Sequence, residues 1–230
     1  MPGENPKLIP EGPLSTRSGI RQNQGRIRDA FLALAGVLLF AGFIHRTFPL
    51  KFLAIGGLLG TAAVIVYSTR KGSLREAFGI SSLNQRVLLI SLAAIGLGIL
   101  LGIWTRRRFE LTLIPAGLTG VAFVAPLVGA AEELLFRGYF QGHLRPAGRT
   151  LAVVSASAIH TSYKLLVILS LAIPMQFDFF FLIFWTFIGG LLFGILREAS
   201  AHVLPSLLAH AAFDIILYGM LPTPPAWVWS

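Results

Sequence analysis

Seven ionisable side chains interrupt otherwise apolar stretches of the sequence. Glu132, Glu133 and Arg137 lie in AAEELLFRGYF, His160 and Lys164 in SAIHTSYK, and His210 and Asp214 in LLAHAAFD. A charge at the centre of a bilayer costs about 2.5 kcal/mol or more on insertion scales, so each is a candidate functional group. A carboxylate with two imidazoles suits acid–base chemistry, in which one group draws a proton from water while donors stabilise an oxyanion. At helical spacing Glu133 and Arg137 share a face, and Glu132 is turned about a quarter turn away. The expectation is that Glu133 and Arg137 neutralise each other and leave Glu132 as an unpaired carboxylate facing inward. His210 and Asp214 are also four apart, so Asp214 can orient the imidazole. Lys164 follows His160 by four residues; its flexible stem could place the ammonium beside that imidazole, at an interface, or on Glu132.

The elements that must carry these groups are transmembrane helices. Of 230 residues, 55% are apolar and 13% charged, and several apolar runs approach the length that crosses hydrocarbon. Seven candidate spans follow: Ala30 to Ile44, Leu50 to Tyr67, Val87 to Trp104, Leu111 to Phe136, Leu151 to Ile173, Phe177 to Leu196 and Ala199 to Leu217. Long uniform runs exclude the alternating strands of a barrel. The fold class is therefore all-α, a polytopic transmembrane bundle of about seven helices, with six to eight allowed. Residues 1–28, rich in Pro, Gly, Ser and Arg, read as a flexible tail. The rest divides into 29–110 without motifs, 111–219 with all three groups, and a tail at 220–230. Gly56 with Gly60, Gly98 with Gly102, and Gly190 with Gly194 are expected at close helix contacts.

The net charge of +9 is spread in short groups flanking the apolar runs, which points to lipid headgroups and excludes a nucleic-acid partner. Cysteine is absent, so no thiolate nucleophile or thiolate metal site is available. Counting Lys and Arg favours a cytoplasmic N-terminus in a multi-pass membrane protein, with Arg106, Arg107 and Arg108 as the countervailing cluster. In that arrangement Glu132, His160 and His210 lie at similar depth, the histidines on the order of 15 Å into their helices.

EELLFR, from Glu132 to Arg137, and HAAFD, from His210 to Asp214, resemble the first and third motifs of the CAAX prenyl protease and bacteriocin-processing (CPBP, or Abi) family of intramembrane endopeptidases. The second motif, FxxxH, is met only at His160, because Ala156 stands where an aromatic is expected. The resemblance covers roughly Leu111 to Leu217. It implies a prokaryotic cytoplasmic-membrane enzyme whose partner is a protein or peptide substrate, prenylated or otherwise membrane-bound. Glu132, helped by His160, would activate water, and His210 with Asp214 would hold the oxyanion. No cofactor is expected; a zinc ion, if one were used, would fall to Glu132, His160 and His210. Asp214 departs from the Asn often found there, and an ionised Asp cannot donate to an oxyanion. Two other classes share such residues: a non-catalytic scaffold or immunity protein, which would lose motif residues, and a proton or ion transporter, which would move charge without cleaving.

Other polar groups read as structural. Glu133 and Arg137 are an ion pair first, His45, His143 and His202 are wet imidazoles at span ends, and Asp178 and Glu198 mark boundaries. Arg145 and Arg149 anchor the inner interface. The aromatic run Phe177 to Phe187 packs against lipid in preference to lining a lateral entrance, and Trp227 with Trp229 forms an interfacial anchor.

Overall fold

A computed structural model describes residues 17–70, 75, 78–171 and 178–222. The described elements are all helical: α1 (Arg17–Phe43), α2 (Lys51–Arg70), α3 (Gln85–Arg108), α4 (Val121–Glu133), a π-helical segment (Leu134–Phe140) running into the short α5 (Gln141–Leu144), then α6 (Arg149–Ser170), α7 (Phe179–Ser200) and α8 (Leu204–Tyr218). Helices α2, α3, α6 and α7 are each long and apolar enough to cross a membrane, and α8 is a shorter apolar helix. Their outward faces carry exposed Leu, Ile, Val and Phe, the surface expected where lipid is the solvent.

Several boundaries differ from the sequence reading. Helix α1 starts at Arg17, inside the segment read as a tail; residues 1–16 lie outside the described residues, as do Trp227 and Trp229. The run from Leu111 does not form a helix until Val121, because Pro115, Gly117 and Gly120 interrupt it. This irregular stretch is tied instead to the end of α8, where Thr119 N donates to Gly219 O at 2.8 Å and its hydroxyl to Leu221 O at 2.6 Å. Helix α4 then continues without a break through Phe136 as far as Leu144, its axis carried by the π turn. Near Ala199 the chain is still in α7, which stops at Ser200 with Ala201 in the left-handed conformation, φ 54°. Pro205 opens α8, as its fixed φ and missing N–H favour.

Packing puts α8 at the centre, against α3, α4 and α7, while α1 lies on α2 and α6, and α6 on α7. The close contacts occur where side chains vanish. A Cβ at Gly98 would run into the Ala209 carbonyl, and one at Gly102 into Ile216. Gly190 and Gly194 similarly abut Ser157 and Val153 of α6. Gly56 and Gly60 do not conform to the expectation, since a Cβ there would meet nothing within 4 Å. The next residue, Gly57, faces Gly36 of α1, and Thr61 donates to Ala33 O. A one-residue step turns a helix by about 100°, which moves the contact from one glycine pair to its neighbour.

Arg106 is buried and donates to the carbonyls of Ile216 and Leu217 and to Thr112. It thus satisfies carbonyls near the end of α8, which have no intrahelical donor.

Candidate active site

Helix α4, the π turn, α6 and α8 bring the three ionisable groups together. Glu132 and Glu133 end α4, both buried. Glu132 Oε2 lies 3.2 Å from His160 Nε2, and its Oε1 lies 2.5 Å from Lys164 Nζ. The carboxylate expected to be unpaired is therefore held at both oxygens. The correction has a simple cause: about one helical turn along α6 puts Lys164 on the same face as His160, and a buried carboxylate draws the flexible ammonium.

Arg137 also does more than neutralise Glu133. Its Nη1 lies 3.1 Å from Glu133 Oε1 and 2.8 Å from His160 Nδ1. A guanidinium only donates, so Nδ1 accepts; the His160 proton then sits on Nε2 and is donated to Glu132. His160 is thus a neutral donor that fixes its partner carboxylate. Glu133 Oε1 accepts in turn from His210 Nδ1 at 3.0 Å, which makes Glu133 the link between the two histidines. Asp214 Oδ2 stands 3.8 Å from His210 Nε2, too far for a hydrogen bond. Gly129 permits this placement, because a Cβ there would crowd Asp214 Oδ2 and the His210 ring.

The aromatic absent at position 156 is supplied from elsewhere. Phe136 stacks on the His160 ring, with centroids 4.4 Å apart and planes inclined by 21°. It lies in the π-helical segment, where the widened turn keeps Phe136, Arg137, Tyr139 and Phe140 all buried. Such turns interrupt regular helix and recur at functional sites. The residue was missed because it sits inside the EELLFR motif as an apparent lipid-facing spacer.

These groups open on a cavity of about 150 Å³. Glu132, His160, Lys164, His210 and Asp214 form its polar end, and Trp104, Phe109, Phe181 and Trp185 are among its apolar walls. The aromatic run of α7 is therefore divided: Phe181 and Trp185 line the cavity, whereas Phe180 is 77% exposed on the outer side. Phe177 lies outside the described residues. Asp178 caps α7 by accepting from Phe181 N at 2.8 Å and pairs with Arg108 at 3.1 Å.

The remaining histidines and Glu198 are placed elsewhere. His143 and His202 are buried, unlike the wet imidazoles expected at span ends. The His143 ring lies tilted against Tyr139, with centroids 4.0 Å apart, and His202 Nδ1 accepts from Leu204 N at the start of α8. Burial holds the His202 imidazole below its ordinary range. Glu198 is embedded between Arg145, Arg197 and Gln141.

In this arrangement the residues that a zinc ion would need already hold protein partners. Among the described residues, no three His, Asp or Glu side chains form a candidate ligand set. His160 spends both ring nitrogens on Arg137 and Glu132, and an ammonium already occupies Glu132. A cation would have to displace those partners.

Fold and site together define a multi-pass helical membrane protein with a cluster of ionisable side chains enclosed among its helices. Residues 114–216 match the family model described as type II CAAX prenyl endopeptidase, Rce1-like. Neither a curated protein nor a solved structure matches the chain.

Proposed function

We propose that the chain is an intramembrane endopeptidase that hydrolyses a peptide bond of a membrane-associated or prenylated protein with water activated by Glu132. The observation that supports this reading most directly is the Glu132–His160 pair facing an otherwise apolar cavity. A water molecule entering beside Glu132 loses its proton to that carboxylate as its oxygen attacks the carbonyl carbon. His160, clamped by Arg137, keeps Glu132 aimed through Nε2–H. His210, oriented by Glu133, presents Nε2 to the cavity and donates to the oxyanion when it carries a second proton; Asp214 stabilises that imidazolium. Glu132 then passes its proton to the leaving nitrogen as the C–N bond breaks.

The apolar walls suit a lipidated or transmembrane segment, and the family match favours a prenylated C-terminus as the first substrate to test. The proposed setting is a prokaryotic cytoplasmic membrane, with the N-terminus on the cytoplasmic side because the loops at that end carry most of the Lys and Arg.

The test uses the full chain in lipid nanodiscs with a farnesylated, quenched-fluorescent peptide ending in Cys-aliphatic-aliphatic-X. Wild type should cleave it after the modified cysteine, and Glu132→Gln should lower the rate by about 10²–10⁴-fold, the usual span for a general base. Equal rates in the two proteins, or no cleavage by wild type, would overturn the proposal.

A further inference from the structure

The polar end of the cavity has an imbalance that the Glu–His machinery leaves unresolved. The carboxylates of Glu132 and Asp214 line it, and a third, Glu133, is buried against His210; the Arg137 Nη1 donor is already shared between Glu133 and His160. Arg137 also lines the cavity, but its side chain is only 1% exposed and its Nη2 is buried against Gly190, where a Cβ would lie 3.0 Å from it. Asp214, when ionised, has no N–H to offer an oxyanion. Of Arg137 and Lys164, both on the cavity wall, Lys164 is the more accessible cation, 16% exposed at its side chain. One of its three N–H groups is on Glu132, and no other hydrogen bond to it is found among the described residues. Its Nζ also stands 5.6 Å from the Tyr163 ring centroid, within the range of a cation–π contact.

We infer that Lys164 is a catalytic residue that follows the negative charge from Glu132 to the substrate oxyanion. The inference rests on the hydrolase reading given above. Before attack, the ammonium neutralises the Glu132 carboxylate. As the O–H bond of water breaks, the proton goes to Glu132 and its charge disappears; the water oxygen bonds to the carbonyl carbon, and the C=O electron pair moves onto the carbonyl oxygen. The ammonium then loses one anionic partner and gains another within the same enclosed space, while its remaining N–H groups supply the donors that Asp214 lacks. On collapse, the C=O bond re-forms, the C–N bond breaks, the leaving nitrogen takes the proton from Glu132, and Lys164 returns to the carboxylate. Lys164 keeps its own proton throughout. Donors placed at a developing oxyanion act on the transition state in preference to the ground state, so the effect belongs in kcat.

The experiment measures kcat and KM on the farnesylated peptide for wild type, Lys164→Met, Lys164→Gln, Lys164→Arg, and Lys164→Met combined with Asp214→Asn. It also measures inhibition by a phosphinate analogue of the same peptide, whose tetrahedral anion resembles the intermediate. Lys164→Met and Lys164→Gln should lose about 10²–10³-fold in kcat with little change in KM. Lys164→Arg should retain part of the rate, and Asp214→Asn should restore part of it to Lys164→Met by supplying an amide donor. The phosphinate should weaken in proportion to kcat/KM across the series. A merely structural ion pair would lower thermal stability without that proportionality, and this result would overturn the inference. So would wild-type kcat in a folded Lys164→Met or Lys164→Gln. Failure of the underlying reading is distinguishable: wild type would not cleave, or Glu132→Gln would cleave normally, whatever Lys164 does.

Discussion

Arg137 donates from Nη1 to Nδ1 of His160 across 2.8 Å, while the opposite ring nitrogen lies 3.2 Å from Glu132 Oε2. The guanidinium thus selects the imidazole tautomer and, through it, the direction in which the Glu132 carboxylate points. Lysine at 137 would preserve charge but not the planar geometry that reaches Glu133 and His160 together. Arg137→Lys should therefore lose at least about ten-fold in kcat, with a smaller effect on KM. Nitrogen NMR of labelled His160 should show Nδ1 as an acceptor in wild type and mixed tautomers in the variant. An unchanged spectrum with reduced activity would show that Arg137 acts by another route.

Glu133 was expected to be a structural ion-pair partner, and its contacts give it a second task. Its Oε1 is shared by Arg137 and the His210 ring, at 3.1 and 3.0 Å. Glu133→Gln removes the charge that compensates a fully buried guanidinium; breaking such a pair by losing one partner typically costs about 3–5 kcal/mol. The variant should melt well below wild type in detergent. Any folded fraction should also have a lower kcat, because His210 loses its anionic acceptor. Thermal unfolding and single-turnover cleavage on the same sample check both effects; a stable but wholly inactive protein would transfer the base role from Glu132 to Glu133.

Much of this site was legible because its chemistry is expensive in lipid. Glu132, His160 and His210 stood out against apolar surroundings, and equal depth along three helices brought them together. The geometry between them was less legible. Helical periodicity did not foresee the π turn at Leu134–Phe140, so Phe136 passed as a spacer although it stacks on His160. Nor could hydropathy locate the inner face of α2, where apolar residues surround the helix and the contact fell on Gly57 instead of Gly56 and Gly60. Leu111 to Gly120 was read as helix from its apolar residues; Pro115 and two glycines outweighed that signal. The pairing of Lys164 with Glu132 stayed open because a four-carbon stem reaches several partners from one backbone position.

Removal of metal should leave turnover unchanged. Both His160 nitrogens have partners, and Lys164 stands on the carboxylate that a zinc ion would need. Nanodisc-embedded protein treated with a strong chelator and then exchanged into metal-free buffer should keep its rate on the farnesylated peptide. Loss of activity on chelation, with restoration by stoichiometric zinc, would mean that the cluster rearranges to bind metal and that the water-activation scheme is wrong.

A final prediction separates close helix contacts from glycines that merely resemble them. At Gly98 an added Cβ would collide with the carbonyl of Ala209, the residue before His210. Backbone cannot retract as a flexible side chain can, so α8 must move away from α3, and overpacking of this kind costs about 1–3 kcal/mol. Gly98→Ala should lower both thermal stability and kcat, since the displaced turn carries His210. Gly57→Ala meets Gly36 and Phe40 of α1, on a helix pair that does not line the cavity. It should reduce stability while leaving kcat of the folded protein near wild type. Gly56→Ala meets nothing within 4 Å and should be neutral or gain up to about 1 kcal/mol from better helix propensity. Melting curves and kcat for the three variants in one lipid composition provide the comparison. Equal behaviour of Gly56→Ala and Gly57→Ala would contradict the assigned face of α2, and a fully active Gly98→Ala would show that His210 is not held by the α3–α8 contact.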